Sequence, residues 1–189
     1  MEVLGELDRF FFHDGEGDMY HKNENCLKIA VEVADLATCA RHRVGAVIVG
    51  KSMEILSSGR NGVKSGERHC VDIFGDSKEA VIDEVLVNHA EWSEKNEIHA
   101  EINAINFLPD NPHSPATRMY VTHSPCVNCT TRIISEKKDG KLQSLEWLYF
   151  SEEYDGYEEQ VARLQEAGIK VGCIGVRTHH LNYPFVIEY

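Results

Sequence analysis

The sequence predicts an α/β fold in which a mixed, mostly parallel five-stranded sheet is covered by helices. Three observations predict it. Residues 99–176 alternate helical and β-rich stretches, the pattern of a largely parallel sheet with helices on both faces. A hairpin pattern lies at residues 44–58, and a helical pattern lies before it at 24–39. With 189 residues the chain is long enough for one domain with a sizeable core. No repeat or linker interrupts it, so residues 1–189 are read as a single domain with a short N-terminal extension at 1–23.

The elements follow in order. Residues 24–39 place Leu27, Ile29, Ala30, Val33, Ala34 and Ala37 at mostly helical spacing, with Asn23 or Asn25 as the cap. Two β-rich runs at 44–49 and 54–58, joined by Gly50-Lys51-Ser52, are expected to pair as a hairpin. Residues 59–88 are polar and glycine-bearing, with a weak helical pattern only at 80–87. A connection that long is functional, or is held by something other than a core. Helices are then expected at 99–107, 126–136 and 157–167, and strands at 117–123, 145–150 and 170–176. Phe10-Phe11-Phe12, residues 15–18 and the tail Arg177-Thr178-His179-His180 carry no readable pattern.

Composition narrows the function. Hydrophobic residues make up 42% of the chain, as in an ordinary globular protein. The net charge of −12 repels phosphate backbones at long range and argues against a polynucleotide-binding face, while leaving room for a local pocket that takes one phosphate. No run of about 20 apolar residues is present to span a membrane. Glu2, Glu6 and Asp8 stand where a secretory signal would be basic and then apolar, so a cytoplasmic location is expected. In that reducing compartment the six cysteines are read as metal ligands or free thiols rather than disulfides.

Two motifs carry the chemistry. His99-Ala100-Glu101 opens one expected helix, and Pro125-Cys126-Val127-Asn128-Cys129 opens the next. In an α/β layout helix N-termini gather at one sheet edge, so His99, Cys126 and Cys129 can meet on one ion. One imidazole and two thiolates suit zinc, and a three-ligand set leaves a fourth position for water, whose pKa zinc lowers toward about 7. Glu101, two residues from the histidine, is then the proton carrier. Alone, a C-x-x-C is also met as structural zinc or a redox pair, and an H-x-E arises by chance. Together and in this order they form the signature of zinc nucleobase deaminases.

Around these residues the chain resembles the deoxycytidylate deaminases, most closely those of large tailed bacteriophages. The stretch His89-Ala90-Glu91-Trp92-Ser93-Glu94-Lys95-Asn96-Glu97-Ile98-His99-Ala100-Glu101-Ile102-Asn103-Ala104-Ile105 and the later Met119-Tyr120-Val121-Thr122-His123-Ser124-Pro125-Cys126 carry the likeness. Val44-Gly45-Ala46-Val47-Ile48 and Gly59-Arg60-Asn61-Gly62 add to it. The resemblance implies a cytidine-deaminase-like three-layer sandwich and hydrolysis of dCMP to dUMP and ammonia, which supplies thymidylate synthesis. By the same resemblance Glu101 protonates N3 and the leaving amine, the backbone of Ala100 and Ser124 holds the pyrimidine edge, Asn61 meets the sugar, and Tyr154 reaches toward the 5′-phosphate. It further implies a second, structural zinc on Cys39, Cys70, His89 and Glu97. Without the family, Cys39 at the helix end reads as a small buried hydrophobe rather than a ligand. Also implied are dCTP and dTTP as effectors, the latter with magnesium, and a homo-oligomer, usually a hexamer.

Arg43 is our own candidate for the phosphate, because guanidinium binds phosphate bidentately; a solvated surface arginine is its alternative. Two positions depart from the family: Arg60 replaces its loop tyrosine, and Asp110 stands where phage relatives carry a basic residue linked to nucleotide regulation. Two other functions compete, a deaminase of bases in RNA or DNA and a non-enzymatic zinc-held binding module. The acidic charge weighs against the first, and the three-ligand set against the second.

Overall fold

The structure is a computed structural model, and it describes residues 16–39, 41–75, 83–175 and 186–188. Helix α1 (Glu16–Asp35) precedes a hairpin of β1 (Gly45–Gly50) and β2 (Ile55–Arg60). A short strand β3 (Gly62–Val63), helices α2 (Cys70–Phe74) and α3 (Asp83–Asn96), and strand β4 (Glu97–Ile98) follow. Helix α4 (Ala100–Phe107), strand β5 (Ala116–His123), helix α5 (Val127–Asp139), strand β6 (Trp147–Glu152), helix α6 (Tyr157–Glu166), strand β7 (Lys170–Ile174) and strand β8 (Val186–Glu188) complete the order.

The main sheet runs β2-β1-β5-β6-β7-β8. The five expected strands are all present, and β8 adds a sixth at the far edge. Parallel pairing is confined to β5, β6 and β7, which the helices α5 and α6 connect. The hairpin end and β8 pair antiparallel. The alternating pattern that predicted parallel strands thus describes the second half of the chain, whereas a hairpin necessarily pairs antiparallel.

Strand periodicity sorts the core into two layers. Ala46, Ile48, Met119, Val121, Leu148 and Phe150 face one side, where they pack with Ile105, Ile133 and Leu164 of α4, α5 and α6. Val47, Val49, Tyr120 and Tyr149, the alternate residues of the same strands, face α1 and meet Leu27 and Ala30. A strand buried on both faces reads as an unbroken apolar run, as β1 does. Tyr120 is fully buried, and its hydroxyl donates to Asn23 Oδ1 at 2.7 Å, which satisfies the one polar atom the ring brings inside.

Two glycines let the helices approach. A Cβ on Gly45 would lie 1.9 Å from the Ala30 carbonyl oxygen of α1, and one on Gly59 would lie 2.2 Å from Ala104 N and 2.3 Å from Ala100 O of α4. Neither contact leaves room for a methyl group.

Several expectations shift. Helix α1 begins eight residues earlier than expected and stops at Asp35, which leaves Asn23 and Asn25 inside the helix and Cys39 in the loop after it. Asn23 is therefore a core hydrogen-bond partner rather than a cap. Part of the expected extension, residues 16–23, belongs to α1; residues 1–15 and the 177–180 tail lie outside the described residues. The polar stretch 59–88 contains β3 and α2 and the start of α3. The pattern expected at 80–87 overlaps α3, which continues to Asn96, and residues 80–82 lie outside the described residues.

Replacing Gly59 with alanine should cost about 1–3 kcal/mol, the usual range for overpacking a filled core. Alanine at Gly62, where the nearest atom would be Thr38 Oγ1 at 3.3 Å, should cost far less. Thermal denaturation of the two variants checks the contrast.

Candidate active site

The β5–β6 pair ends with His123 opposite Glu152, and the chain leaves β5 through Ser124 and Pro125 into α5. Helix α4 starts nearby, packed on β2 through Gly59. His99 is the N-cap residue of α4 and Cys126 that of α5, and neither side chain caps its own helix. They turn toward each other instead. His99 Nδ1 lies 3.5 Å from Cys126 Sγ and 3.3 Å from Cys129 Sγ. Around a tetrahedral zinc, nitrogen and sulfur ligands stand about 3.6 Å apart, given the usual bond lengths. The three donors therefore fit that ion, and they leave room for a fourth ligand.

Glu101 sits in the first turn of α4 with 4% of its surface exposed. Burial pushes its carboxyl above the ordinary range, against its own backbone N–H, the His99 charge and a hydrogen bond from the Cys129 thiol. The three donors are strongly coupled. Cys126 is held down to about 4, first by the hydrogen bond it accepts from Cys129 and, against burial, by His99. His99 is pushed up to about 8, chiefly by its hydrogen bond to Cys126. Cys129 is pushed up, by donating to Cys126 and by burial.

A cavity of about 450 Å³ opens on this cluster, a volume suited to a small ligand. Ala100, Glu101, Ser124, Asn61 and Tyr154 all line it. Ala100 is the first residue of α4, so its N–H has no partner inside the helix. The Ser124 N–H is already given to the Glu152 carbonyl at 2.8 Å, which leaves its own carbonyl for a ligand. Asn61 braces the chain: Oδ1 accepts from Val44 N–H at 2.8 Å and Nδ2 donates to the His42 carbonyl at 2.8 Å. Tyr154 is anchored by its N–H on Ser124 Oγ at 2.7 Å, with its ring 5.9 Å from that of His42 and 6.3 Å from that of His123. Arg43 is exposed and absent from the cavity lining, whereas Arg41 and His42 belong to it.

The second group also assembles. Cys39, Cys70 and His89 place their donor atoms within 4.8 Å of one another. His89 Nε2 lies 3.5 Å from Cys39 Sγ and 3.1 Å from Cys70 Sγ, and the two sulfurs are 3.9 Å apart. Glu97 stands outside that tight group. One carboxylate oxygen accepts from Ser93 Oγ at 2.6 Å, while the other, Oε1, is buried with no hydrogen-bond partner. Arg60 donates to the Leu36 carbonyl near the end of α1, and Asp110 pairs with Lys141 at 2.9 Å.

Sequence reasoning missed His42, His123 and Arg41 on the cavity. His123 and Arg41 stood in plain view, three residues before Cys126 and two after Cys39. Nothing in a linear pattern says which way a residue in a loop or at a strand end faces.

The family model for the cytidine and deoxycytidylate deaminase zinc-binding region matches residues 20–142. The chain belongs to that family. Within it, the deoxycytidylate deaminase of Enterobacteria phage T4 is 33% identical over 200 aligned residues, spanning 89% of this chain and 98% of that relative. The phage T2 deoxycytidylate deaminase is 33% identical over 181 residues, 79% of this chain and 90% of that one. In fold, the chain resembles the dCMP deaminase from the cyanophage S-TIM5, with a TM-score of 0.56 at 23% identity over 84% of this chain and 98% of that one. The His99, Cys126 and Cys129 donors lie within the matched region.

The donor states set the pH dependence of zinc uptake. At neutral pH Cys126 is already a thiolate, while His99 and Cys129 each carry a proton. Zinc binding at this site should release about two protons, so affinity climbs about a hundredfold per pH unit below the His99 pKa. Calorimetry in buffers of different ionisation enthalpy measures the release; a value near three would mean that Cys126 is not ionised beforehand.

Proposed function

We propose that this chain is a zinc-dependent hydrolase that deaminates dCMP to dUMP and ammonia and so supplies dUMP for thymidylate synthesis. The observation that carries the reading is the buried Glu101 carboxylate beside a three-donor cluster, both opening on one cavity of nucleotide size. Relatives named as deoxycytidylate deaminases that align with 89% and 79% of the chain support the substrate.

Zinc, when bound, supplies Lewis acidity that makes water a nucleophile at neutral pH. Glu101 does the proton work. It takes a proton from the water that adds to C4, gives it to N3, and then carries a proton to the amine as ammonia leaves and the carbonyl forms. A carboxyl with a raised pKa is suited to both directions of transfer. We assign the Ala100 N–H and the Ser124 carbonyl to the pyrimidine edge, since both residues line the cavity. Asn61 acts on the sugar side, and its bonds to residues 42 and 44 also keep the cavity wall in place.

We assign Cys39, Cys70 and His89, with Glu97 as fourth ligand, to a second, structural zinc. The donor spacing and the orphaned Glu97 Oε1 support it, since a buried carboxylate oxygen without a partner is costly unless a cation meets it. Regulation by dCTP, and by dTTP with magnesium, and assembly as a homo-hexamer rest on the resemblance alone. Asp110 and Arg60, the two departures, are each engaged within the protein. We read the whole chain as one deaminase domain that works in the cytoplasm, the host's if the chain is viral. No described helix is long and apolar enough to cross a membrane.

Purified zinc-loaded protein should release ammonia from dCMP in preference to a cytosine oligonucleotide; no release with zinc bound would refute the reading. Glu101→Gln should keep the metal and lose at least about 100-fold in kcat. Because burial raises the Glu101 pKa, the folded state prefers the protonated form, and that preference is lost as pH rises through the folded value. The zinc-free Gln variant should therefore gain stability over its parent as pH rises, which paired thermal melts would show. Cys70→Ser should lose one of two zincs per chain by elemental analysis. It should also lower the melting temperature by roughly 5 °C, the size of a loss of about 2 kcal/mol in a chain of this length.

A further inference from the structure

Strands β5 and β6 end together beside the cavity, where His123 lies opposite Glu152 in register. His123 Nε2 is 3.0 Å from Glu152 Oε2, and Nδ1 is 3.2 Å from Thr122 Oγ1, which itself accepts the Gly45 N–H at 3.2 Å. A carboxylate only accepts, so Nε2 carries the proton, and in the neutral ring Nδ1 accepts from the Thr122 hydroxyl. Both ring nitrogens are then spent on the protein. The ring lines the cavity, yet it has neither a proton nor a lone pair left for a substrate.

Glu152 holds the next residue as well. Its carbonyl accepts the Ser124 N–H at 2.8 Å while its carboxylate takes His123, so two successive residues of the β5–α5 turn are fixed to one residue of β6. Ser124 Oγ then accepts the Tyr154 N–H at 2.7 Å, and Ser151 Oγ donates to the Thr122 carbonyl at 2.7 Å. The residue whose carbonyl we assign to the pyrimidine edge is thus held through its N–H, its hydroxyl and its neighbour, two positions before the donor Cys126. The His123 side chain is 16% exposed and that of Glu152 69%, and a contact with so open a partner adds little to stability. What it governs is where the turn stands.

We infer that His123 is a positioning residue: bound to Glu152, it fixes the β5–α5 turn so that the Ser124 carbonyl meets the pyrimidine edge in register with Glu101 and the His99, Cys126 and Cys129 donors. The inference rests on the deaminase reading above and adds two residues to its machinery, one of which, Glu152, does not line the cavity. An acceptor that wanders loosens the alignment of C4 with the attacking water, and a small misplacement of a bound reactant slows the chemical step. Loss of the His123–Glu152 contact should therefore lower kcat more than it raises KM.

The test measures kcat per bound zinc, KM for dCMP and melting temperature in the wild type, His123→Leu, Glu152→Ala, Glu152→Gln and the double variant His123→Leu with Glu152→Ala. Each of His123→Leu and Glu152→Ala should lose roughly 10-fold in kcat per zinc, with KM within about threefold and the melting temperature nearly unchanged. Glu152→Gln keeps an accepting oxygen at that place and should recover most of the loss. The double variant should be no slower than either single one, because both remove the same contact. A merely structural role would lower zinc content and melting temperature and leave kcat per zinc at the wild-type value, which overturns the inference. Losses confined to KM, losses that multiply in the double variant, or a Glu152→Gln variant as slow as Glu152→Ala overturn it too, and in all these cases the deaminase reading stands. If the zinc-loaded wild type leaves dCMP unchanged, the deaminase reading falls and takes this inference with it.

Discussion

The depth at which α4 lies on the sheet is set by backbone-to-backbone contact at Gly59, and the site is built outward from that contact. A helix held at that distance brings its first residue, and His99 just before it, level with the end of β5. There the chain turns into α5 and presents Cys126 and Cys129. No side chain could set the separation as firmly, because side chains have rotamers and a bare backbone surface does not. Gly45 does the same for α1 on the opposite face, so the β1–β2 hairpin is gripped from both sides at fixed distances.

The two helices that carry the donors start without ordinary caps. Serine, threonine, aspartate or asparagine would normally fold back onto the free N–H groups of the first turn. Here those positions are held by His99 and Cys126, whose side chains face away from their own helices. The helix ends give up part of their stability, and in return two free N-termini point at a cluster that carries thiolate charge. Helix dipoles favour negative charge at that end, and the depressed Cys126 pKa belongs to the same environment.

Much of this was legible in the residues. The strands and helices of the second half follow directly from their periods, and the two short motifs name the donors and their order. The N-terminal boundary of α1 was not legible, because Asn23 and Asn25 look like caps and only the buried Tyr120 hydroxyl explains why Asn23 lies inside the helix. Helix α3 was read as a weak pattern, since its apolar residues do not form a clean stripe; among its described side chains the buried one is His89, which meets Cys39 and Cys70. Arg41 lines the cavity and Arg43, two residues on, does not, and nothing in the linear pattern tells them apart.

The same cavity is lined by Cys39, His89 and Glu97 of one cluster and by His99 and Cys126 of the other. The stretch between β3 and α4 is therefore a wall of the cavity and not an appendage beside it. A chain that shortened this stretch would have to rebuild the flank it now closes, and a chain that altered the Cys39 turn would disturb the cavity mouth as well. That stretch and the pocket are thus bound to change together over descent, and a change in one should be found only beside a compensating change in the other.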